Sequence, residues 1–114
     1  MIILNLIVSN KEQIDAIVNS ILKNKFALHV VVGNELDSYH LNSFCIKVHA
    51  VTYPIQFVTK SMLFSEIETT LRNEFPGIDF HIYATPVVHI ARHSYDEIKN
   101  RVTGLNLIKE KIED

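Results

Sequence analysis

The chain has no tryptophan, one cysteine, three glycines and three prolines among its 114 residues. So few glycines and prolines leave little room for low-complexity or disordered segments. A single cysteine, Cys45, excludes an internal disulfide and is typical of a reducing compartment; within the apolar run SFCIKV we expect it to be a small buried hydrophobe without chemistry.

The net charge is also small. Eleven Lys and Arg against thirteen Asp and Glu give a formal charge of -2, so the chain has no positive field that would attract nucleic acid or an anionic membrane. The apolar N-terminal run is too short to span a membrane and has no basic segment before it. We expect a cytoplasmic protein with neither nucleic acid nor membrane as a partner.

The composition that is present is ordinary for a globular protein, with 47% hydrophobic and 21% charged residues. A chain of 114 residues is long enough for one hydrophobic core and too short for two. We predict one domain over residues 1–103, followed by a helical tail over 104–114.

Hydrophobic periodicity divides the first half of the chain. Residues 2–8 form an apolar run typical of a central strand, and Ser9 with Glu12 has the spacing of a capping box before a one-sided helical pattern. That pattern consists of Ile14, Ile17, Val18, Ile21 and Leu22. Residues 27–32 predict a second strand, and GNELDSYHLN predicts an exposed extension or loop.

The second half continues in the same way. SFCIKVHAV alternates as a half-buried strand does, Tyr53 and Pro54 predict an interruption, and IQFVTK resumes the strand after a bulge or edge. A helix follows over 61–75 and ends at Pro76, and DFHIYAT predicts the last strand. Ser94 with Glu97 forms another capping box ahead of a third helix.

This order, β-α-β-β-α-β with an extra C-terminal helix, predicts an α+β protein of the ferredoxin-like kind. Right-handed crossovers then give a four-stranded antiparallel sheet with two helices on one face. Alternation predicts that the helices cover Phe44, Ile46, Val48, Phe80, Ile82 and Ala84. The open face would carry Asn5, Lys47, His49, His81, Tyr83 and Thr85, together with Ile3, Ile7 and Val51.

The open face is too polar for a core and too apolar to be wholly solvated, which favours packing against another subunit. Its histidines suggest a small-ligand or metal pocket where subunits meet, built from His49 and His81 with His29. The alternative interpretation is that they are ordinary solvated or interface residues.

The segment HIARH has the four-residue spacing at which a helix places two histidines on one metal ion. With Ser94 as the N-cap, however, His89 and His93 precede the helix and lie in extended chain, about 13 Å apart. We therefore expect solvated or locally hydrogen-bonded histidines rather than a shared ion.

Four segments add to this order of strands and helices. They are ELDSYH in a long second strand, FVTK at the end of the third, the proline of EFPGIDF, and ATPV near the end of the fourth. On these features, over residues 2–102, the chain resembles the CutA divalent-cation-tolerance family, ferredoxin-like proteins related to the PII signalling fold.

The resemblance implies a homotrimer in which a long hairpin, here from His29 through Lys60, wraps a neighbouring subunit. His29 occupies the family's cysteine position, where an imidazole suits copper or zinc, and Lys60 and Pro86 are retained. The family's histidine-proline-tyrosine-glutamate segment is replaced by residues 75–78, FPGI, and its tryptophans are absent.

The leading hypothesis is a non-enzymatic trimer that binds a small ligand or a divalent metal ion, or acts in signalling, with His29, His49, His81, Tyr83 and Lys60 as candidate ligand-binding residues. One alternative is a dimeric ferredoxin-like enzyme with a pocket between its open sheets, in which the imidazoles and Tyr83 act as acid and base. Another is an ACT-type regulatory module that binds a small molecule.

Overall fold

The computed structural model of the protein describes residues 1–104, which contain five strands and three α-helices. The elements are β1 (Ile2–Val8), α1 (Ile14–Lys23), β2 (Val31–Val32), β3 (Leu36–Leu41), β4 (Lys47–Thr59), α2 (Phe64–Glu74), β5 (Phe80–Pro86) and α3 (Arg92–Arg101). Apart from Gly104, the predicted tail lies outside the described residues. None of the helices in this part of the chain is long and apolar enough to cross a membrane.

The sheet confirms the predicted fold class. Its order is β2-β4-β1-β5, and every pairing is antiparallel. Of the second strand predicted over residues 27–32, only Val31–Val32 is strand, and β3, which follows it, pairs with the first half of β4. The segment predicted as an exposed extension or loop is therefore one arm of a hairpin, which makes the molecule 52 Å long against 31 and 23 Å in the other directions.

The core lies between one face of β1 and the helices α1 and α2. Alternate residues of β1 are fully buried, and both helices direct their apolar stripes toward them, as the 3.6-residue period predicts. This core includes Leu4, Leu6, Val8, Ile17, Ile21, Phe26, Ile55, Phe57, Ile67 and Leu71. Ser20 Oγ donates to Glu74 Oε2 at 2.6 Å and ties the two helices together.

β4 runs through Pro54 without the predicted interruption at Tyr53 and Pro54. Its pairing with β1 is continuous there, with Pro54 opposite Ile7. On the other side, Gly33 donates its backbone N–H to the Pro54 carbonyl at 2.8 Å, which uses the one backbone polar group that a proline retains. A Cβ on Gly33 would lie only 2.5 Å from Pro54 Cγ, so this close approach needs glycine.

The irregularity that Pro54 predicts lies in the adjacent segment, between β2 and β3. Val32 pairs with Ile55, and Leu36 pairs with Thr52. From Val32 to Leu36 the chain advances by four residues (36 − 32), while the partner strand β4 advances by three (55 − 52). The segment between β2 and β3 therefore contains one extra residue. Prolines in sheets occur at such bulges because the ladder is already disrupted there.

Neither predicted capping box forms. Asn10, not Ser9, precedes the first helical turn, and α1 is entered through a 3-10 turn without a side-chain cap. α3 starts at Arg92 after the extended Ala91, so Ser94 lies inside the helix. Both starts are open to water, which satisfies the first N–H groups without a cap.

The earlier start of α3 corrects the placement of one histidine. His89 precedes the helix as predicted, but His93 is in its first turn and pairs with Glu97 one turn later. Because His89 is outside the helix, the pair does not present the helical spacing that a shared metal ion requires.

The tip of the hairpin is a turn over residues 42–46. The Asn42 side-chain oxygen accepts hydrogen bonds from the backbone N–H groups of Phe44 and Ile46, at 2.9 and 3.0 Å. Cys45 is in the left-handed region with φ 58° and is exposed, so its predicted burial is wrong. Phe44 and Ile46 are 81% and 60% exposed and do not face the helices, because the turn projects beyond the core.

α1 ends in a Schellman motif at a residue other than glycine. Lys25 has φ 57°, its N–H donates to the Leu22 carbonyl at 3.1 Å, and Phe26 N–H donates to the Ile21 carbonyl at 3.1 Å. Phe26 and Ile21 are both fully buried, as this motif favours. The arrangement carries the cost of a side chain at a left-handed position.

We predict that Lys25→Gly stabilises the protein by about 0.5 to 1 kcal/mol, because glycine adopts the left-handed conformation without a Cβ penalty. The matched variant Lys23→Gly, in the last helical turn, should destabilise it by about 1 kcal/mol. Urea unfolding of both variants at one protein concentration measures the two effects; equal signs would contradict the C-cap assignment.

Candidate functional site

Strand pairing fixes which side chains face away from the helices. Alternate residues of β1 are buried beneath the helices, so the remaining ones and their cross-strand partners face the other way. The predicted open-face positions on β1 and β5 are confirmed: Ile3, Asn5, Ile7, His81, Tyr83 and Thr85. On the opposite side of β5, Phe80 is buried, Ile82 partly buried and Ala84 exposed.

The same register contradicts the open-face positions predicted on β4. Gln56 pairs with Asn5 and faces away from the helices, so Lys47, His49 and Val51 point to the helix side. Val48, predicted to face the helices, is on the open side. Alternation identifies a face only where one side is buried, and this part of β4 projects beyond the helices.

His49 belongs to a row of contacts on the hairpin. Its Nε2 lies 2.8 Å from Asp37 Oδ1, and its ring centroid is 5.0 Å from that of Tyr39. Lys47 Nζ lies 5.2 Å from the Tyr39 centroid. Because the side chains of His49 and Asp37 are 50% and 72% exposed, their ion pair contributes about 0 to 1 kcal/mol at most. Asp37 orients the imidazole.

One chain does not bring the predicted histidines together. His81 aligns through Ile7 with Pro54, which is five positions (54 − 49) from His49 on β4. That spacing is about 17 Å, far beyond the roughly 2 Å between zinc and each imidazole nitrogen. Within residues 1–104, no three His, Cys, Asp or Glu side chains form a group that could hold a metal ion.

A cavity of about 300 Å³ lies on the open face and is lined by uncharged residues, including Asn5, Gln56 and Tyr83. Asn5 is only 6% exposed, and its side chain accepts from Gln56 Nε2 at 2.8 Å while donating to the Ile3 carbonyl at 3.3 Å. Tyr83 is therefore placed at a concave, neutral surface, whereas His81 lies on the same face outside this cavity.

His29 lies at a second cavity, which we call the His29 cleft. It has a volume of about 350 Å³, is mostly apolar, and separates α3 from the adjacent ends of β1 and β4. Its polar lining consists of His29, Gln56 and Ser94, and its apolar lining includes Ile3, Val58 and Ile98. An apolar cleft with a few polar groups is the usual form of a small-ligand site.

Two contacts position this cleft. Lys60 Nζ donates to the Lys99 carbonyl at 2.8 Å, near the end of α3, where a cation stabilises the exposed carbonyls. Thr59 Oγ1 donates to the Phe26 carbonyl at 2.6 Å and fixes the chain three residues before His29. Lys60, one of the five predicted ligand-binding residues, thus makes a contact that joins the end of β4 to α3.

Sequence reasoning missed the contribution of α3 to the His29 cleft. Ser94 was assigned to a cap, and Ile90 and Ile98 gave no signal of the surface that they line. The helical period marks Ile98 as buried, but only packing shows what it is buried against. Gln56 was predicted only as part of a strand.

No family model and no curated protein matches the sequence. Solved structures do match. The divalent cation tolerance protein CutA1 of Thermus thermophilus superposes with a TM-score of 0.81 at 16% identity, over 90% of this chain and 99% of that one. CutA1 of Oryza sativa superposes with a TM-score of 0.80 at 17% identity, over 89% of this chain and 92% of that one. The periplasmic divalent cation tolerance protein CutA of Archaeoglobus fulgidus superposes with a TM-score of 0.77 at 18% identity, over 90% of this chain and 99% of that one.

The chain has the fold of the CutA1 proteins. At these identities the likeness concerns the fold, and it confirms the CutA-like resemblance seen in the order of strands and helices.

We predict that Thr59→Val destabilises the protein by about 1 to 3 kcal/mol, because it leaves the buried Phe26 carbonyl without its donor at nearly constant volume. Thr85→Val, at an exposed position of β5, is the matched control and should change stability by less than about 0.5 kcal/mol. Chemical unfolding measures both; a loss as large in the control would remove the assigned role of the Thr59 hydroxyl.

Proposed function

We propose that the protein is a non-enzymatic homotrimer of the CutA type, in the cytoplasm, that binds a small ligand or a divalent metal ion where its subunits meet. The observation that carries this proposal is the clustering of exposed apolar side chains on the hairpin. Of thirteen exposed large hydrophobic residues in the described chain, eight fall within residues 31–51. They are Val31, Val32, Leu36, Tyr39, Leu41, Phe44, Ile46 and Val51. Exposed apolar side chains concentrated in one segment in this way favour a protein interface there.

The edges of the sheet support head-to-tail assembly. β1 pairs with residues 53–59 of β4, so the first half of β4 has no partner on that side within residues 1–104. β5 likewise has one unpaired edge in the described chain. Within residues 1–104, β2 and β3 also pair on one side only. Different free edges on one chain favour a heterologous interface, and such an interface closes into a ring when its rotation permits.

Subunit contact is also what a metal site would need. His29 alone supplies an imidazole to its cleft, so further ligands would have to come from a neighbouring subunit or from the ligand itself. The matching structures from Thermus thermophilus and Archaeoglobus fulgidus are of divalent cation tolerance proteins, which supports copper and zinc as the ions to test. His49, His81 and Tyr83 are the residues that a neighbouring chain could bring to the site.

The separation of the acid–base candidates favours binding over catalysis. His49 and Tyr83 lie on opposite faces of the sheet, and His49 is oriented by Asp37. General acid–base catalysis needs its groups within hydrogen-bond reach of one reacting atom. The enzymatic alternative therefore requires a second chain to bring His49 to Tyr83, whereas His81 and Tyr83 already share one face of β5.

We predict that the protein elutes with about three times the chain mass of 13.1 kDa in size-exclusion chromatography with light scattering. A triple variant of the hairpin, Leu41→Ser, Phe44→Ser and Ile46→Ser, should be monomeric with unchanged circular dichroism, because its apolar contact surface is lost. Met62→Ser, at an exposed position before α2, is the control and should keep the wild-type mass. A wild-type mass of one chain would contradict the proposal, and a mass of two chains would favour the dimeric alternative.

We predict that copper or zinc, or a small ligand such as an adenine nucleotide, raises the melting temperature and releases or absorbs heat on titration, since a ligand that binds only the native state stabilises it. His29→Ala should abolish the effect. His93→Ala, which removes an exposed imidazole that pairs with Glu97, is the matched control.

Absence of heat and of stabilisation with every ion and nucleotide would remove the binding claim while leaving the trimer to be judged by its mass. Equal loss in both histidine variants would instead indicate ions at exposed histidines only.

A further inference from the structure

A third cavity lies between the end of β5 and the first turn of α3. Its volume is about 400 Å³, and its apolar lining includes Met1, Val87 and Ile90. The polar lining consists of His89, Arg92 and Tyr95, all of which carry hydrogen-bond donors, and no acidic residue is among the lining residues. It is separate from the His29 cleft, with which it shares only Ile90.

The three donor side chains are not engaged elsewhere. Among residues 1–104, the side chains of His89, Arg92 and Tyr95 make no hydrogen bond or ion pair. Arg92 and Tyr95 are three residues apart on α3, a spacing that places them on the same side of the helix. This contrasts with Arg72 and Arg101, each of which pairs with a glutamate on its own helix.

Carboxylates near this end of α3 do not compete for the donors. The first turn of the helix contains no acidic residue. Glu97 pairs with His93 and Arg101, and Asp96 is outside the cavity lining. The local charge at the cavity is therefore positive through Arg92, although the chain as a whole has a formal charge of -2.

We infer that this cavity binds a phosphate group. The planar guanidinium of Arg92 matches two phosphate oxygens, the Tyr95 hydroxyl and the His89 imidazole supply further donors, and the apolar lining accommodates the group to which the phosphate is attached. The first-turn N–H groups of α3 add a favourable partial charge. The site is complete within one subunit, so it is independent of the proposed trimer and of the His29 cleft.

Titration of the full-length protein with inorganic phosphate at pH 7 and constant ionic strength, followed by amide chemical shifts, tests the inference. We expect saturable shifts centred on residues 89–95. Arg92→Gln should weaken phosphate binding about tenfold or more, because the charge-assisted hydrogen bonds of the guanidinium are lost. Tyr95→Phe, which removes only the hydroxyl, should weaken it as well and tests the site without loss of charge.

Arg72→Gln is the matched control, because it removes an equal charge from α2 and should leave the affinity unchanged. Shifts that do not saturate or that spread over the surface would overturn the inference, as would equal affinity in wild type and Arg92→Gln. A loss of affinity in the Arg72 variant equal to that in the Arg92 variant would likewise show attraction by overall charge rather than a site.

Discussion

The hydrogen bonding of β1 on both edges is the constraint on which the rest of the structure depends. β1 pairs with β4 on one side and β5 on the other, and one of its faces is buried beneath α1 and α2. Because side chains alternate along a strand, burial of Leu4, Leu6 and Val8 places Asn5 and its neighbours on the other face. A slip of one residue would exchange the faces, so the core itself fixes the open face and the cavity around Asn5.

The hairpin follows from the same constraint. β4 is 13 residues long and β1 covers only its second half, so the first half extends beyond the helices. The extra residue between β2 and β3 and the close approach of Gly33 to Pro54 occur where the hairpin leaves the body of the sheet. Apolar side chains on such an extension bury little surface within the chain and therefore contribute little to its stability.

The likeness to the CutA1 proteins at 16 to 18% identity reflects which features set the fold. Strand and helix periods, the proline after α2 and the long hairpin are present here, and each has a physical role that many sequences can fill. Functional groups are specific to individual positions.

Local periodicity predicted the elements that pack against the core. The runs that form β1, α1, α2 and β5 each direct apolar side chains to one side, and the end of α2 before Pro76 follows from proline geometry. The predicted capping boxes do not form, because water satisfies the first N–H groups of a helix as well as the side chain of Ser9 or Ser94 would. The predicted face of His49 was wrong because alternation does not show which face of a strand points toward the core where both faces are exposed.

The candidate site was only partly predictable. His29 and Tyr83 were named from their residue types and from the family resemblance, and each lines a cavity. Their partners Ser94, Ile98 and Gln56 come from elements distant in the chain, and no local pattern specifies which surfaces meet.

By itself, the sequence determined the order of strands and helices and the side that each buries, because those depend on contacts between residues a few positions apart. Only the tertiary structure decided the register across Pro54, the approach of α3 to the sheet and the cavity in which His89, Arg92 and Tyr95 lie beside Met1. These depend on packing between distant segments, where shape and close contact rather than periodicity set the outcome.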